Sequence, residues 1–269
     1  MMAFPRLSSA IALTAFMAQP LGAQTFDCVI TPAVTVNLSA PVGGLLSEVN
    51  VGRGDLVEKG QVIARLDTDI EQTTVALMAE RAASNSEVEV QRARLALAET
   101  RLKRVNTLVE RNITSAEELE EAKASVDVAG GELAMAEMRN RIATLELQRA
   151  NEIVAQRTIT SPINGVVQSR ALFAGEYTDQ DAEIVTIAQL DPLHVEAFLP
   201  VDMFTKLALD MTVDVIPRAP LEGTYQGRIE VIDRIFDAAS GTFGVRVVLP
   251  NTDLALPAGH RCEVRFPQE

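Results

Sequence analysis

G-D-L-V-E-K-G-Q, residues Gly54–Gln61, and S-P-I-N-G-V-V, residues Ser161–Val167, are the two stretches that decide the fold. Each lies in a longer segment of short β-rich runs, Pro41–Asp67 in the first half of the chain and Ile159–Ile187 in the second. Gly and Asp at these positions are typical of tight turns between strands. Both segments follow the same order of Pro, Gly, paired apolar residues and a Gly-centred turn. We therefore interpret them as two halves of one internal repeat.

The residues between the two halves predict a long helical hairpin. From Ile70 to about Glu110 the chain has no Gly or Pro and is rich in Ala, Glu, Arg and Leu, which favours helix. Steps of four and three residues define one packing seam along each arm. The first seam is Ile70, Thr74, Leu77, Arg81, Ser84, Val88, Gln91, Leu95, Ala98, Leu102, Val105 and Val109, and the second is Leu119, Ala122, Val126, Ala129, Leu133, Ala136, Asn140, Ala143, Leu147, Ala150 and Val154. Large residues alternating with Ala predict an antiparallel coiled coil whose register Gln91 and Asn140 help to set.

The turn of the hairpin is expected at residues 111–114. Ser115 followed by Glu118 predicts a capping box that starts the second helix. Gly130 and Gly131 lie inside that helix, where we interpret them as a tolerated weak point rather than a hinge.

The last eighty residues change to short alternating strands, which predict a small β-barrel with one short helix at Val201–Leu209. The predicted strands are His194–Leu199, Thr212–Ile216, Tyr225–Ile232, Thr242–Leu249 and Cys262–Phe266. Cys28–Leu38 is expected to join this barrel as a further strand.

Composition excludes several classes of function. The chain has 269 residues, 37 acidic against 24 basic, and a formal charge of −13, which argues against a nucleic-acid partner. Two Cys and two His, far apart in sequence, do not predict a zinc site. We find no nucleophile elbow and no phosphate-binding Gly-rich loop, so the sequence predicts no enzyme and no cofactor.

The N-terminus is interpreted as a cleavable secretory signal. Arg6 provides the basic region, Ala10–Ala18 the apolar region, and Ala23 the residue before the expected cleavage site. An uncleaved anchor is the alternative. In an oxidising compartment Cys28 and Cys262 are expected to form a disulfide, with two buried free thiols as the alternative.

The split repeat resembles the lipoyl-like (biotinyl-type) hammerhead domain of bacterial periplasmic adaptor proteins, also called membrane fusion proteins. The resemblance implies a mixed α and β, elongated fold: a lipoyl-like β-hammerhead split by a long antiparallel α-helical coiled-coil hairpin, then a small β-barrel domain, with no full membrane-proximal domain. The expected divisions are 1–23 for the signal peptide, 24–40 for the N-terminal strand joining the barrel, 41–68 and 157–189 for the two lipoyl-like halves, 69–156 for the hairpin and 190–269 for the barrel.

The hairpin tip matches the family more specifically. Efflux adaptors carry an Arg, a Leu four residues later and a Ser seven further on, and this chain has Arg104, Leu108 and Ser115. By resemblance these residues dock to a trimeric outer-membrane channel. The alternative is that Ser115 only caps, Leu108 packs under the turn and Arg104 is solvated.

The resemblance implies a non-enzymatic periplasmic adaptor that bridges an inner-membrane transporter and an outer-membrane channel, with several copies assembled in a ring. A resistance-nodulation-division (RND) transporter is the preferred partner, and an ABC-type exporter or secretion system is the alternative. An acylated carrier subunit is disfavoured because Lys59 lies inside a Gly turn rather than at a hairpin tip. An exported coiled-coil scaffold stays open. Metal export is a weaker variant, since Met135 and Met138 share a helix face where packing is the expected role.

Overall fold

The computed structural model describes residues 24–267, so the predicted signal peptide and its cleavage site lie outside the described residues. Two compact units divide the described chain: one contains the residues up to Ala33 and those from Leu190 onward, the other is Val34–Gln189. The strands are β1 Thr25–Ser39, β2 Gly44–Val49, β3 Leu56–Val57, β4 Val62–Leu66, β5 Thr158–Thr160, β6 Gly165–Arg170, β7 Tyr177–Thr178, β8 Glu183–Pro200, β9 Thr212–Pro217, β10 Tyr225–Ile232, β11 Thr242–Leu249 and β12 Arg261–Arg265. The helices are α1 Asp69–Ala83, α2 Ser86–Glu110 and α3 Ala116–Ala155. None of the described helices has both the length and the apolar character that crossing a membrane requires.

The two quoted motifs bind each other through their backbones. Gly54 N–H donates to Val167 O at 2.8 Å, and Val167 N–H donates back to Asp55 O at 2.9 Å. At the other end of the motifs, Gly60 N–H donates to Ser161 O at 2.7 Å. Because each half supplies the donors and acceptors that the other half needs, the split repeat closes into one β body, here called the lipoyl-like body, residues 41–68 and 157–189.

The motif glycines and aspartate have local reasons to be there. Gly54 and Gly60 have φ values of +92° and +87°, the left-handed region in which a Cβ is strained. Asp55 accepts the N–H of Gly52 through Oδ2 at 2.7 Å and so closes its own turn. Apolar side chains from both halves share one core: Ala40, Leu46, Val51, Val57, Ile63, Ala64, Leu66, Ile159, Val167, Ile184, Val185 and Ile187.

The two long helices, α2 and α3, pack along the predicted seams. Every α3 residue of the predicted seam is buried or partly buried, and four of its Ala residues are the buried ones. The fully buried residues of the two long helices are Val88, Ala98, Ala122, Ala129, Ala136 and Ala150. Small side chains at these positions allow the close approach of the two helices.

The predicted continuous first arm is wrong, because the helix stops at Ala83 and starts again at Ser86. Ser84 and Asn85 are weak helix formers whose side chains compete for backbone hydrogen bonds. Asn140 of the facing helix occupies the break: its amide donates to Ser84 O at 3.2 Å and to Asn85 Oδ1 at 3.1 Å. Asn140, a polar residue on the seam, thus binds one backbone carbonyl and one side-chain oxygen at the break.

The break also changes which residues of α1 face α3. The predicted seam residues Ile70 and Leu77 are 80% and 51% exposed. The partly buried positions are one residue later, and they include Glu71, Val75, Met78 and Ala82. Ala82 and Val88, the first seam residue of α2, are six positions apart. An unbroken heptad pattern needs a separation of seven positions. The sequence-based seam was therefore wrong before the break and right after it.

The first unit is a closed β-barrel. Its strands follow the order β1-β12-β9-β10-β11-β8, and a further pairing of β8 with β1 closes the ring. Alternate residues of the strands point into the core, as in β11, where Phe243, Val245, Val247 and Leu249 are buried. The helix predicted at Val201–Leu209 is a shorter 3-10 helix, Val201–Lys206.

Candidate docking site at the hairpin tip

The turn between α2 and α3 is built as a helix C-cap. Asn112 adopts φ +55°, and its N–H donates to Val109 O at 2.9 Å. Ile113 N–H reaches back to Leu108 O at 3.0 Å. This pair of bonds is the Schellman motif, in which Asn tolerates the left-handed position better than most residues with a side chain. The end of α2 is thereby fixed at a defined residue, which gives the tip a defined backbone.

Ser115 starts the second arm as the sequence predicts. Its Oγ accepts the N–H of Glu118 at 3.3 Å, which satisfies one of the open donors of the first turn of α3. Ser115 itself is exposed, so its hydroxyl also faces solvent at the tip.

Arg104 and Leu108 lie one turn apart on the same side of α2. Arg104 is exposed and Leu108 is partly buried. The other arginines along this face pair with α3: Arg94 lies 3.7 Å from Glu132 and Arg101 lies 3.9 Å from Glu121. Among the described residues Arg104 makes no ion pair, so its guanidinium keeps its donors for a partner.

An open groove of about 690 Å³ begins at Arg104 and runs between α2 and α3 away from the tip. Leu97 and Val128, which are 71% and 63% exposed, form its apolar part. Exposed apolar side chains of this size at a solvent face are typical of an interaction surface.

A second apolar seam on α3 was missed by the sequence analysis. It consists of Val128, Met135, Met138, Ile142 and Leu145, and each of these side chains is 45% exposed or more. Their spacing of seven, three, four and three residues is the heptad pattern again. At about 100° per residue Met135, Met138, Ile142 and Leu145 lie on the far side of α3 from the seam that faces α1 and α2, whereas Val128 also lines the groove between α2 and α3. We call these five residues the outer seam.

Met135 and Met138, for which packing is the expected role, are 51% and 45% exposed, so they do not belong to the buried core of the hairpin. The signal was present in the sequence as a second set of apolar residues at heptad spacing. A two-helix hairpin needs only one packing seam on each arm, and the sequence-based prediction contains only that one.

The two cysteines meet in the barrel. Cys28 in β1 pairs directly with Cys262 in β12, and their sulfur atoms are bonded at 2.02 Å. The described residues contain no group of three or more His, Cys, Asp or Glu side chains that could hold a metal ion.

Comparisons with known proteins show what the chain is similar to. No family profile matches the chain. Multidrug resistance protein MdtA of Pectobacterium carotovorum is 29% identical over 235 residues, which is 84% of this chain and 54% of that protein. The crystal structure of MacA from Actinobacillus actinomycetemcomitans superposes with a TM-score of 0.77 at 20% identity, covering 91% of this chain and 78% of that one. The membrane fusion protein Spr0693 from Streptococcus pneumoniae R6 gives a TM-score of 0.63 at 16% identity, covering 92% and 100%.

The chain is similar in sequence to resistance proteins of this kind, and it shares the fold of a solved membrane fusion protein. It spans about half the length of the curated relatives it matches. The predicted mixed fold, with a helical hairpin inserted in a β body and a β-barrel after it in the chain, is confirmed, and it is the fold of the MacA structure.

Proposed function

We propose that this chain is the non-enzymatic adaptor of a tripartite efflux system for small molecules. In this proposal it is exported to the periplasm, its signal peptide is cleaved after Ala23, and it joins the inner membrane through its transporter. The homology to a multidrug resistance protein and the adaptor fold support the assignment.

The hairpin tip is the proposed binding site for a trimeric outer-membrane channel. The observation that carries this proposal is the exposed Arg104, which has no ion-pair partner among the described residues and lies one turn from Leu108. Arg can donate several hydrogen bonds to carbonyl or carboxylate groups of a partner. Leu108 would add an apolar contact and Ser115 a small polar one, and the capping bond of Ser115 leaves its oxygen free to accept a second hydrogen bond.

The inner-membrane partner is proposed to be a transporter of the RND type, with an ABC exporter as the alternative. We place its contact on the barrel, where Arg228 is exposed on β10. Identification of the protein that binds this strand decides between the two transporter classes.

Several copies are proposed to assemble side by side in a ring. The outer seam supports this arrangement, because a heptad-spaced apolar face is built to pack against another helix. Val90 and Leu97 of α2 are also exposed and lie seven residues apart, so they offer a matching face on the next copy.

Site-specific photo-crosslinking in cells tests the proposal. Probes at positions 108 and 112 should capture an outer-membrane channel, and a probe at position 228 should capture an inner-membrane transporter, each identified by mass spectrometry. A probe at Lys103, which is exposed next to Arg104, serves as the control for random capture at the tip. Capture of neither partner, in cells that express the neighbouring transport genes, would contradict the adaptor function and favour an exported scaffold.

Substitutions at the tip give an independent test. Arg104→Asp together with Leu108→Asp should abolish efflux-dependent resistance while the chain stays folded, because both side chains lie outside the buried core. Lys103→Asp makes the same change of charge as Arg104→Asp, one residue earlier, and should leave resistance unchanged.

A further inference from the structure

The two arms of the hairpin meet the lipoyl-like body at one arginine. Arg157 lies two residues after the end of α3, and its guanidinium forms an ion pair with Glu71 in the first turn of α1. Both side chains are only 19% exposed. The same guanidinium donates to Gly43 O at 3.3 Å, at the start of β2. One side chain therefore contacts the root of each arm and the β body.

The backbone around Arg157 joins the same parts. Leu66 at the end of β4 donates its N–H to Arg157 O at 2.9 Å, and Arg157 N–H donates to Val154 O at 3.0 Å. Gly44 leaves room for the guanidinium, since a Cβ at that position would lie 2.6 Å from Nη1. The sequence thus has a glycine at the position that the arginine side chain packs against.

The contact lies at the base of the hairpin, where a small change of helix direction causes a large displacement of the tip. α3 has 40 residues, so at 1.5 Å per residue it is about 60 Å long. A change of about 10° at its root moves the far end by about 10 Å at this length. The direction of the helix at Arg157 therefore decides where the tip is.

We infer that Arg157 is a positioning residue that fixes the direction of the hairpin on the lipoyl-like body by holding Glu71 and Gly43 together. Its effect on transport rests on the proposed function, but the positioning itself is measured without any partner. A charged pair in a mostly buried site depends on its geometry, because little water is available to solvate either group if the pair separates. The bridge between Glu71 and the carbonyl of Gly43 needs the fork of a guanidinium, which Lys does not have.

Electron–electron distance measurements on the full mature chain test this inference. Spin labels are attached to cysteines introduced at Glu58 in the lipoyl-like body and at Asp127 in α3, since the two native cysteines are bonded to each other. Asp127 lies 30 residues before Arg157 on an unbroken helix, about 45 Å away along it. The label pair therefore reports the direction of α3 and not the break in the other arm.

The parent chain should give one narrow distance distribution. Arg157→Met should widen it at least about twofold, with the helical circular dichroism unchanged. Arg157→Lys should widen it nearly as much, whereas Glu71→Gln, which keeps a hydrogen-bond acceptor, should widen it less. Arg139→Met is the matched control, because it breaks the pair with Glu87 midway along the same hairpin and should leave the width unchanged. An Arg157→Met distribution as narrow as the parent, or one that widens only with loss of helix, would overturn the inference.

Discussion

The effect of a glycine in this chain depends on what surrounds it. Gly131 lies inside α3, where an added Cβ would meet nothing within 4 Å. Gly165 belongs to the S-P-I-N-G-V-V motif and begins β6, where an added Cβ would overlap the backbone carbonyl of Ala188. The same chemical change at the two positions should therefore have opposite effects on stability.

We predict that Gly131→Ala raises the free energy of unfolding by about 1 kcal/mol, because Ala loses less backbone entropy in a helix. Gly165→Ala should lower it by about 1–3 kcal/mol, because a backbone strand must shift to make room. Urea unfolding followed by circular dichroism measures both. A stabilised Gly165→Ala chain would show that β6 and β8 are not packed as closely as described.

The cap at Ser115 gives a second prediction for a single residue. Ser115→Ala removes the acceptor for the N–H of Glu118 and should destabilise the first turn of α3 by about 1 kcal/mol. Ser115→Asp should restore the turn, because a carboxylate accepts the same bond and favours the positive end of the helix. Hydrogen exchange at the amides of residues 117 and 118 measures the difference. Equal exchange in the Ala and Asp variants would mean that Ser115 does not act as a cap.

Individual residues were predictable from sequence where a local rule determines them. Ser115 and Glu118 lie at the spacing of a cap, and Gly54 lies where a turn needs positive φ. Arg157 had no such signal, because its contacts with Glu71 and Gly43 join residues 86 and 114 positions apart. A contact of that range depends on how the β body and the hairpin pack, which no local pattern records.

Among the elements, the first arm shows how far a heptad pattern can be extended along a sequence. The pattern predicts the seam of α2 and of α3, because each of these helices is unbroken. It fails in α1, since the residues at 84 and 85 interrupt the helix and change its phase. Ser84 and Asn85 are weak helix formers, but two such residues in a row are not enough to predict a break. In the structure, hydrogen bonds from Asn140 bind the two residues at the break.

The change of phase gives a prediction at this scale. One Ala inserted between Ser84 and Asn85 brings the separation of Ala82 and Val88 from six residues to the seven of a heptad, and the new Ala itself falls on the seam. We expect this insertion to be tolerated and to increase the helical signal, because α1 and α2 can then form one helix with a continuous seam.

One Ala inserted between Thr100 and Arg101 is the control, because it rotates the rest of α2 by about 100° and moves its apolar residues off the seam. That insertion should lower the thermal midpoint, while the insertion at the break should not. Circular dichroism at 222 nm and thermal unfolding measure both chains. Equal destabilisation by the two insertions would mean that the break is required by the packing of the hairpin and is not a fault in its heptad pattern.

For the whole molecule, the sequence predicted the order of the elements better than it predicted their surfaces. The β body, the hairpin and the barrel follow from strand and helix patterns that act within one chain. The outer seam obeys the same heptad rule, but nothing in the described chain covers it, and a search for the core of one molecule therefore passes over it. An apolar face that is explained by no internal contact is best explained by an external one.

The last prediction follows from this face. Met135→Glu together with Ile142→Glu should reduce the fraction of the chain that self-associates by about tenfold or more. A carboxylate buried without a partner between two helices costs several times the 1.4 kcal/mol that corresponds to a tenfold change in an equilibrium constant. The thermal midpoint should stay the same, since the two side chains are 51% and 47% exposed in the single chain. Sedimentation velocity over a range of protein concentrations measures the assembled fraction.

The matched control introduces the same two negative charges at Ala134 and Gln148, which are exposed on α3 but lie outside the outer seam. Because the net charge of the chain is already −13, added repulsion alone would weaken association equally in the control and in the seam variant. Loss of association in the seam variant only would therefore locate the contact between copies on the outer seam. Equal loss in both would assign the effect to net charge, and no loss in either would leave the outer seam without a role in self-association.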